Sequence, residues 1–175
     1  MTKESLMFPI GKFQLPDTIS DEHISTWIET IASFPEQLRS EVSSLTEQQL
    51  DTTYRPGGWS IHQIVHHCAD SHLNSYIRIK LALTEDTPTV KPYLEDKWAE
   101  LPDGKSLSVE ASLNIIEGLH ARWVFLLKSL TSQELQRSFF HPEHNKTIQI
   151  DEIVGFYAWH CDHHLAHIVI AKKQS

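Results

Sequence analysis

"FYAWHCDHHLAHIVIAKK", residues 156–173, carries four histidines in eight residues: His160, His163, His164 and His167. On an α-helix each residue advances by about 100° around the axis. With His160 at zero, His164 falls near +40°, His167 near −20° and His163 near −60°, so about one third of the circumference holds all four. Ile153, Phe156, Tyr157 and Ala171 share that sector, which marks it as the face the helix buries. Buried imidazoles are costly unless each finds a hydrogen-bond partner or a metal ion. The stretch therefore predicts a long amphipathic helix, opened by Asp151 as its cap, whose inner face carries chemistry.

Three more long helices precede it. "SDEHISTWIETIASF" begins with Ser20 as N-cap and continues with Ile24, Trp27, Ile28, Ile31 and Phe34 at steps of three or four. Pro35 interrupts the pattern, which resumes through Leu38, Val42 and Leu45, so the first helix is expected to kink and continue. The second starts at a capping box, with Ser60 as N-cap and Gln63 at the third helical position, and runs to about Glu85. The third spans about Leu107 to Leu130, with Leu113, Ile116, His120, Trp123 and Leu127 on one stripe. "TEQQL" and "TSQE" cap short helical turns, and "SFFHPEHNKTIQI" reads as a small hairpin around a polar bend. Between the second and third helices, Asp86 to Lys105 forms a long loop with three prolines, either a lid or a plain crossover; Tyr93, Lys97 and Trp98 are its candidates for closing over a ligand. The expected fold is all-α, a four-helix bundle with that long loop and hairpin, in a single domain over residues 1–175.

Composition narrows the function. Hydrophobic residues make up 40% and charged residues 22%, as in a soluble globular protein. A formal net charge of −8, with no basic cluster, argues against nucleic acid as partner. No apolar run is long enough for a signal peptide or a membrane span, so cytoplasmic residence and no membrane partner are expected. Cys68 and Cys161 lack framework spacing and read as reduced thiols. GxGxxG, GxxxxGK[ST] and HExxH do not occur.

Two imidazoles at i and i+4 can chelate one ion, which pairs His160 with His164 and His163 with His167. The second helix offers His62, His66, His67 and His72 as a further ligand, and spacing does not choose among them. His72 lies on the apolar stripe, as a satisfied core histidine would. His67 shares a polar row with Ser71, Asn74 and Arg78, as in the wall of a partly wet cavity. Arg78 is there a candidate for holding an anionic group such as a substrate carboxylate, against the ordinary alternative of an exposed helix arginine.

"FPIGKFQLP", "YRPGGWSIHQIVHHCADSH", "KWAELPD" and "YAWHCDHHLAHI" together resemble the DinB-like superfamily and, within it, the YfiT family of metal-dependent hydrolases, over nearly the whole chain. That resemblance implies a four-helix bundle with one divalent metal on His67, His160 and His164, often as a homodimer. It also implies relatives that transfer low-molecular-weight thiols such as bacillithiol. The expected activity is hydrolysis of a small-molecule substrate by metal-activated water, with Zn2+ the first choice and Ni2+ or Mn2+ alternatives. A thiol S-transferase and a non-catalytic binding module are the competing readings. His163 is the candidate base or supporting partner beside the ligands. Metal affinity is expected to fall below about pH 6.5, where free imidazole takes up its proton.

Overall fold

The computed structural model describes residues 3–174. Its elements in chain order are α1 (Lys3–Met7), α2 (Asp21–Val42), α3 (Glu47–Leu50), α4 (Ile61–Thr84), α5 (Glu95–Trp98), α6 (Pro102–Ser106), α7 (Val109–Ser129), α8 (Ser132–Leu135), β1 (Ser138–His141), β2 (Lys146–Gln149) and α9 (Ile150–Lys172). The long helices α2, α4, α7 and α9 form the expected bundle. Reciprocal capping boxes open several helices: Ser20 with His23 on α2, Thr46 with Gln49 on α3, Ser60 with Gln63 on α4, and Thr131 with Glu134 on α8. Each satisfies N–H groups that a helix start leaves without partners. The last helix departs from expectation. Gln149 occupies its N-cap position, and Asp151 lies in the first turn, where Oδ1 accepts from the Glu152 N–H at 2.6 Å and Oδ2 from Gln136 Nε2 at 2.7 Å.

The helices do not pack in the order in which the chain visits them. α2 rests on α7 and α9, and α4 also rests on α7 and α9, so α2 stands diagonal to α4, and α7 diagonal to α9. In the simplest bundles short loops join adjacent antiparallel helices. Here the step from α7 to α9 crosses the bundle through α8 and the hairpin. This arrangement brings the histidine-rich faces of α4 and α9 together. Side chains such as Ile31, Phe34, Ile64, Ile79, Ile116, Trp123 and Ile168 close the core between the four helices.

Residues 86–108 are not a bare loop: α5 and α6 fold within them, and Gln63 Nε2 ties α5 to the start of α4 by donating to the Ala99 carbonyl at 2.9 Å. The hairpin pairs Ser138 with Gln149 through His141 with Lys146, and Asn145, with φ of 47°, turns it. Asparagine tolerates that left-handed conformation better than most side chains. The Phe140 carbonyl accepts from the Val90 N–H at 3.0 Å, and the Phe140 N–H donates to the Pro88 carbonyl at 2.9 Å, which fastens the α4–α5 connection to the hairpin. Arg137 closes the other end of α4, donating to the carbonyls of Ala82 at 2.6 Å and Glu85 at 2.7 Å. At the N-terminus, the Gly11 carbonyl accepts from Trp159 Nε1 at 3.1 Å, and Phe13 meets Phe156 edge-on at 5.7 Å, so the leading segment lies across α9. Among the described residues no helix is long and apolar enough to cross a membrane.

Because Ser60 satisfies an N–H at the start of the helix that carries four histidines, Ser60→Ala should cost about 1 kcal/mol of folding stability. A lower urea midpoint with an unchanged slope would be the signature.

Candidate metal centre

The four histidines of α4 go to four different places. His62 turns outward to Asp51 at 3.1 Å and Glu47 at 3.4 Å. His66 faces α7, with Nδ1 at 2.7 Å from Ser112 Oγ and Nε2 at 3.0 Å from the Leu107 carbonyl. His72 is enclosed in the core. His67 faces α9, where its Nε2 lies 3.2 Å from Nε2 of His160. The tie that spacing leaves open is thus resolved by geometry: of these four, His67 joins His160 and His164 in a buried set whose ligand atoms all lie within 4.8 Å of one another.

A second set, His163, His164 and His167, meets the same distance limit, but it comes from one stretch of α9 and His167 is already engaged. The His167 ring stacks on Tyr54 at 3.9 Å, and Nε2–H donates to the Met7 carbonyl at 3.2 Å. His163 stacks on Trp159 at 4.4 Å, and its buried Nδ1 has no partner among the described residues.

Hydrogen bonding sets the tautomers. A carbonyl can only accept, so His120 Nδ1 carries the proton that bonds to the Ile31 carbonyl at 2.7 Å. A neutral His120 then accepts at Nε2 from His72 Nδ1–H, also at 2.7 Å, and His72 accepts at Nε2 from His160 Nδ1–H at 3.0 Å. The chain ends with Nε2 of His160 bare and aimed at His67. At the other α9 member of the set, His167 holds its proton on Nε2 for Met7, which leaves Nδ1 to accept a weak bond from His164 Nδ1–H at 3.5 Å and bares Nε2 of His164. His160 and His164 are thereby each tethered through Nδ1, by way of other imidazoles, to a backbone carbonyl, an arrangement akin to that by which proteins orient metal-ligating imidazoles.

Neutrality follows from burial. Desolvation pulls His67 down to about 3 and His120 to about 4, and carries His72, His160 and His164 well below the ordinary histidine value, with neighbouring imidazoles adding to the effect. His163 falls to about 3 and His167 to about 4 for the same leading reason. Protonation of His67, His160 and His164 near pH 6.5, expected for free imidazole, is thus displaced to more acidic pH in the folded chain. At about 3 His163 stays neutral at pH 7. Cys68 and Cys161 are buried free thiols whose ionisation burial opposes, so neither supplies a thiolate ligand.

Three buried, neutral, nitrogen-only donors suit Zn2+, Ni2+ or Mn2+ with a coordination position left over. Trp59 covers His67 with ring centroids 4.5 Å apart. The centre opens into a cavity of about 330 Å³ lined by Tyr54, Trp59, Phe156 and His163. On the other side of His160 lies a second cavity of about 470 Å³; Glu95, Asp96 and Phe156 border both. Tyr93 and Lys97 line that second space, whereas Trp98 packs at a tilt against Tyr93, with ring centroids 4.6 Å apart, and is 40% exposed.

The sequence profile described as DinB superfamily matches residues 30–168. A protein of Bacillus cereus (strain 03BB102) provisionally named a metal-dependent hydrolase is 52% identical over 169 residues, covering 97% of this chain and 96% of its own. One of Bacillus anthracis (strain A0248) with the same name is 51% identical over the same shares. Among solved structures, YfiT from Bacillus subtilis, described as a probable metal-dependent hydrolase with an unusual four-helix bundle topology, superposes with a TM-score of 0.94 at 44% identity, covering 97% of both chains. The mycothiol-dependent maleylpyruvate isomerase shares the fold at 16% identity and a TM-score of 0.65, over 83% of this chain and 60% of that one.

Two outcomes are expected from this geometry. Unfolded histidines take up protons near pH 6.5, while His67 and His120 stay neutral in the fold until about 3 and 4. The unfolded chain therefore binds more protons in that window, and stability falls with falling pH by about 1.4 kcal/mol per pH unit for each such histidine. Asp70, raised to about 6 by burial and by the charge of Asp103, acts in the opposite direction and offsets part of one histidine. Urea midpoints of metal-stripped protein should accordingly drop steeply from pH 7 to pH 5. The second outcome concerns the His120 tether. His120→Leu should weaken zinc binding by about ten- to a hundred-fold in competition with a chelating dye, whereas His66→Leu, also buried but outside the chain of imidazoles, should not.

Proposed function

The chain belongs to the DinB superfamily, and on that premise we propose that it is a metal-dependent hydrolase whose single divalent ion, zinc first, is held by His67, His160 and His164. The observation that carries this reading is the meeting of three buried neutral imidazoles from two helices at the floor of an open cavity, with Nε2 of His67 and His160 3.2 Å apart. A zinc ion on three imidazoles supplies, at neutral pH, a nucleophile from coordinated water or from a thiol.

The chain's own residues account for the rest of the site. The tethers on His160 and His164 engage both Nδ1 atoms and leave the Nε2 atoms free to hold the metal. Trp59 keeps solvent off His67. His163, whose ring lines the cavity beside Trp159, helps to orient the nucleophile or the substrate. A second reading, thiol S-transfer, draws support from the neighbouring cavity: spaces of about 330 and 470 Å³ on either side of His160 could seat a thiol and an electrophile at once. Hydrolysis ranks first because relatives about half identical along the whole chain carry that name.

Individual His67→Ala, His160→Ala and His164→Ala proteins should each lose most of their zinc by elemental analysis, while His62→Ala and His163→Ala keep it. Stoichiometric zinc in His67→Ala rejects the ligand assignment. Zinc-loaded protein should then hydrolyse members of an ester and amide panel at rates lost in His67→Ala. Metal-dependent conjugation of a low-molecular-weight thiol to an electrophile, with no hydrolysis, would place the transferase reading first.

A further inference from the structure

The second cavity has a floor unlike its mouth. Arg78, about three turns along α4 from His67, forms part of that floor and is only 9% exposed. Its Nη2 donates to the Lys91 carbonyl at 3.1 Å, and it makes no ion pair among the described residues. Burying a cation without a counter-charge is unfavourable, and a guanidinium has five N–H donors to satisfy. Beside it, His141 of β1 is 4% exposed, and its Nδ1 has no partner among the described residues. The field of Arg78, after burial, depresses the basicity of His141, as an unneutralised guanidinium would. Glu95, Asp96 and Glu143 also line the cavity, but all three are exposed and stand at its mouth. The cavity therefore presents hydrogen-bond donors and positive charge at depth, and a mouth where three carboxylates outnumber one cation, Lys97.

We propose that this cavity is an anion subsite, in which Arg78 and His141 receive the carboxylate, or an oxyanion of similar size, of a small substrate that extends past Tyr93 to His160. A guanidinium matches a carboxylate by two parallel N–H···O bonds, and a neutral His141, which lines the same cavity, has a ring N–H to add as a third donor. The acidic mouth disfavours molecules charged negatively along their length and suits one with a single anionic end, or a zwitterion whose ammonium stays outside. Only the use of this subsite in turnover rests on the metal-dependent reading above; anion binding itself does not.

The experiment uses metal-stripped protein, so that no anion is drawn to a metal. Sodium acetate is titrated at constant ionic strength while the ring signals of His141 and the Arg78 side-chain Nε–H are followed by NMR, with neutral acetamide as the control. Wild type should show saturable shifts with acetate and none with acetamide. Arg78→Met should weaken acetate by about ten-fold or more, as loss of a charged hydrogen-bond donor predicts, and Arg78→Lys should be intermediate. Because His67 is not part of the subsite, His67→Ala should bind acetate as wild type does. Equal shifts with acetate and acetamide, no saturation in wild type, or wild-type affinity in a folded Arg78→Met protein would overturn the proposal. Should Arg78→Met fail to fold, the acetamide comparison and Arg78→Lys decide it. Failure of the metal reading shows instead as zinc retained by His67→Ala, with the acetate result intact.

Discussion

A missing N–H organises the centre of this protein. Pro35 lies inside α2, where a proline removes the bond that would run from its own nitrogen to the carbonyl four residues earlier, which is that of Ile31. That carbonyl is the acceptor for His120 Nδ1 at 2.7 Å. From it the bonds pass through His72 to His160 in one direction only, because a carbonyl cannot donate. The helix defect in α2 thus decides which nitrogen of an imidazole on α9, across the bundle, is left bare. Helix α2 stays continuous through Val42 because the freed carbonyl is satisfied from α7 instead of from its own backbone.

The chain of imidazoles also explains how a small core tolerates so many polar rings. Buried polar groups are tolerable where hydrogen-bonded and costly where not. His66, His72 and His120 use both ring nitrogens. The exceptions are informative: the unpartnered Nδ1 atoms of His67, His163 and His141 belong to residues that line the two cavities flanking His160.

Topology supplies the other condition. With α4 and α9 as packed neighbours and the hairpin bridging the diagonal from α7, His67 meets the α9 pair on one side, and Arg78 meets His141 on the other. The short helix α5, held to α4 through Gln63, places Glu95 and Asp96 at the border of both cavities. A single wall, Phe156 and His160 of α9, thereby faces two compartments.

Periodicity and capping chemistry alone determine the four long helices, the continuation of α2 past Pro35, the start of α4 at Ser60, the hairpin, and the inward face of the four α9 histidines. These are local properties, written in steps of three and four residues and in side chains that bond to their own backbone. The placement of His72 on the apolar stripe is legible in the same way. The N-cap of α9 is misread because Asp151, a good cap by type, is drawn to Gln136 by tertiary contact. Choosing His67 over His62, His66 and His72 takes either a family resemblance or the fold, because angles on one helix do not say which neighbour each face will meet. The link from Ile31 to His160 and the approach of His141 to Arg78 leave no mark in the sequence: they join residues far apart in the chain, and only the packing of α2, α7, α9 and the hairpin around α4 brings them within reach of one another.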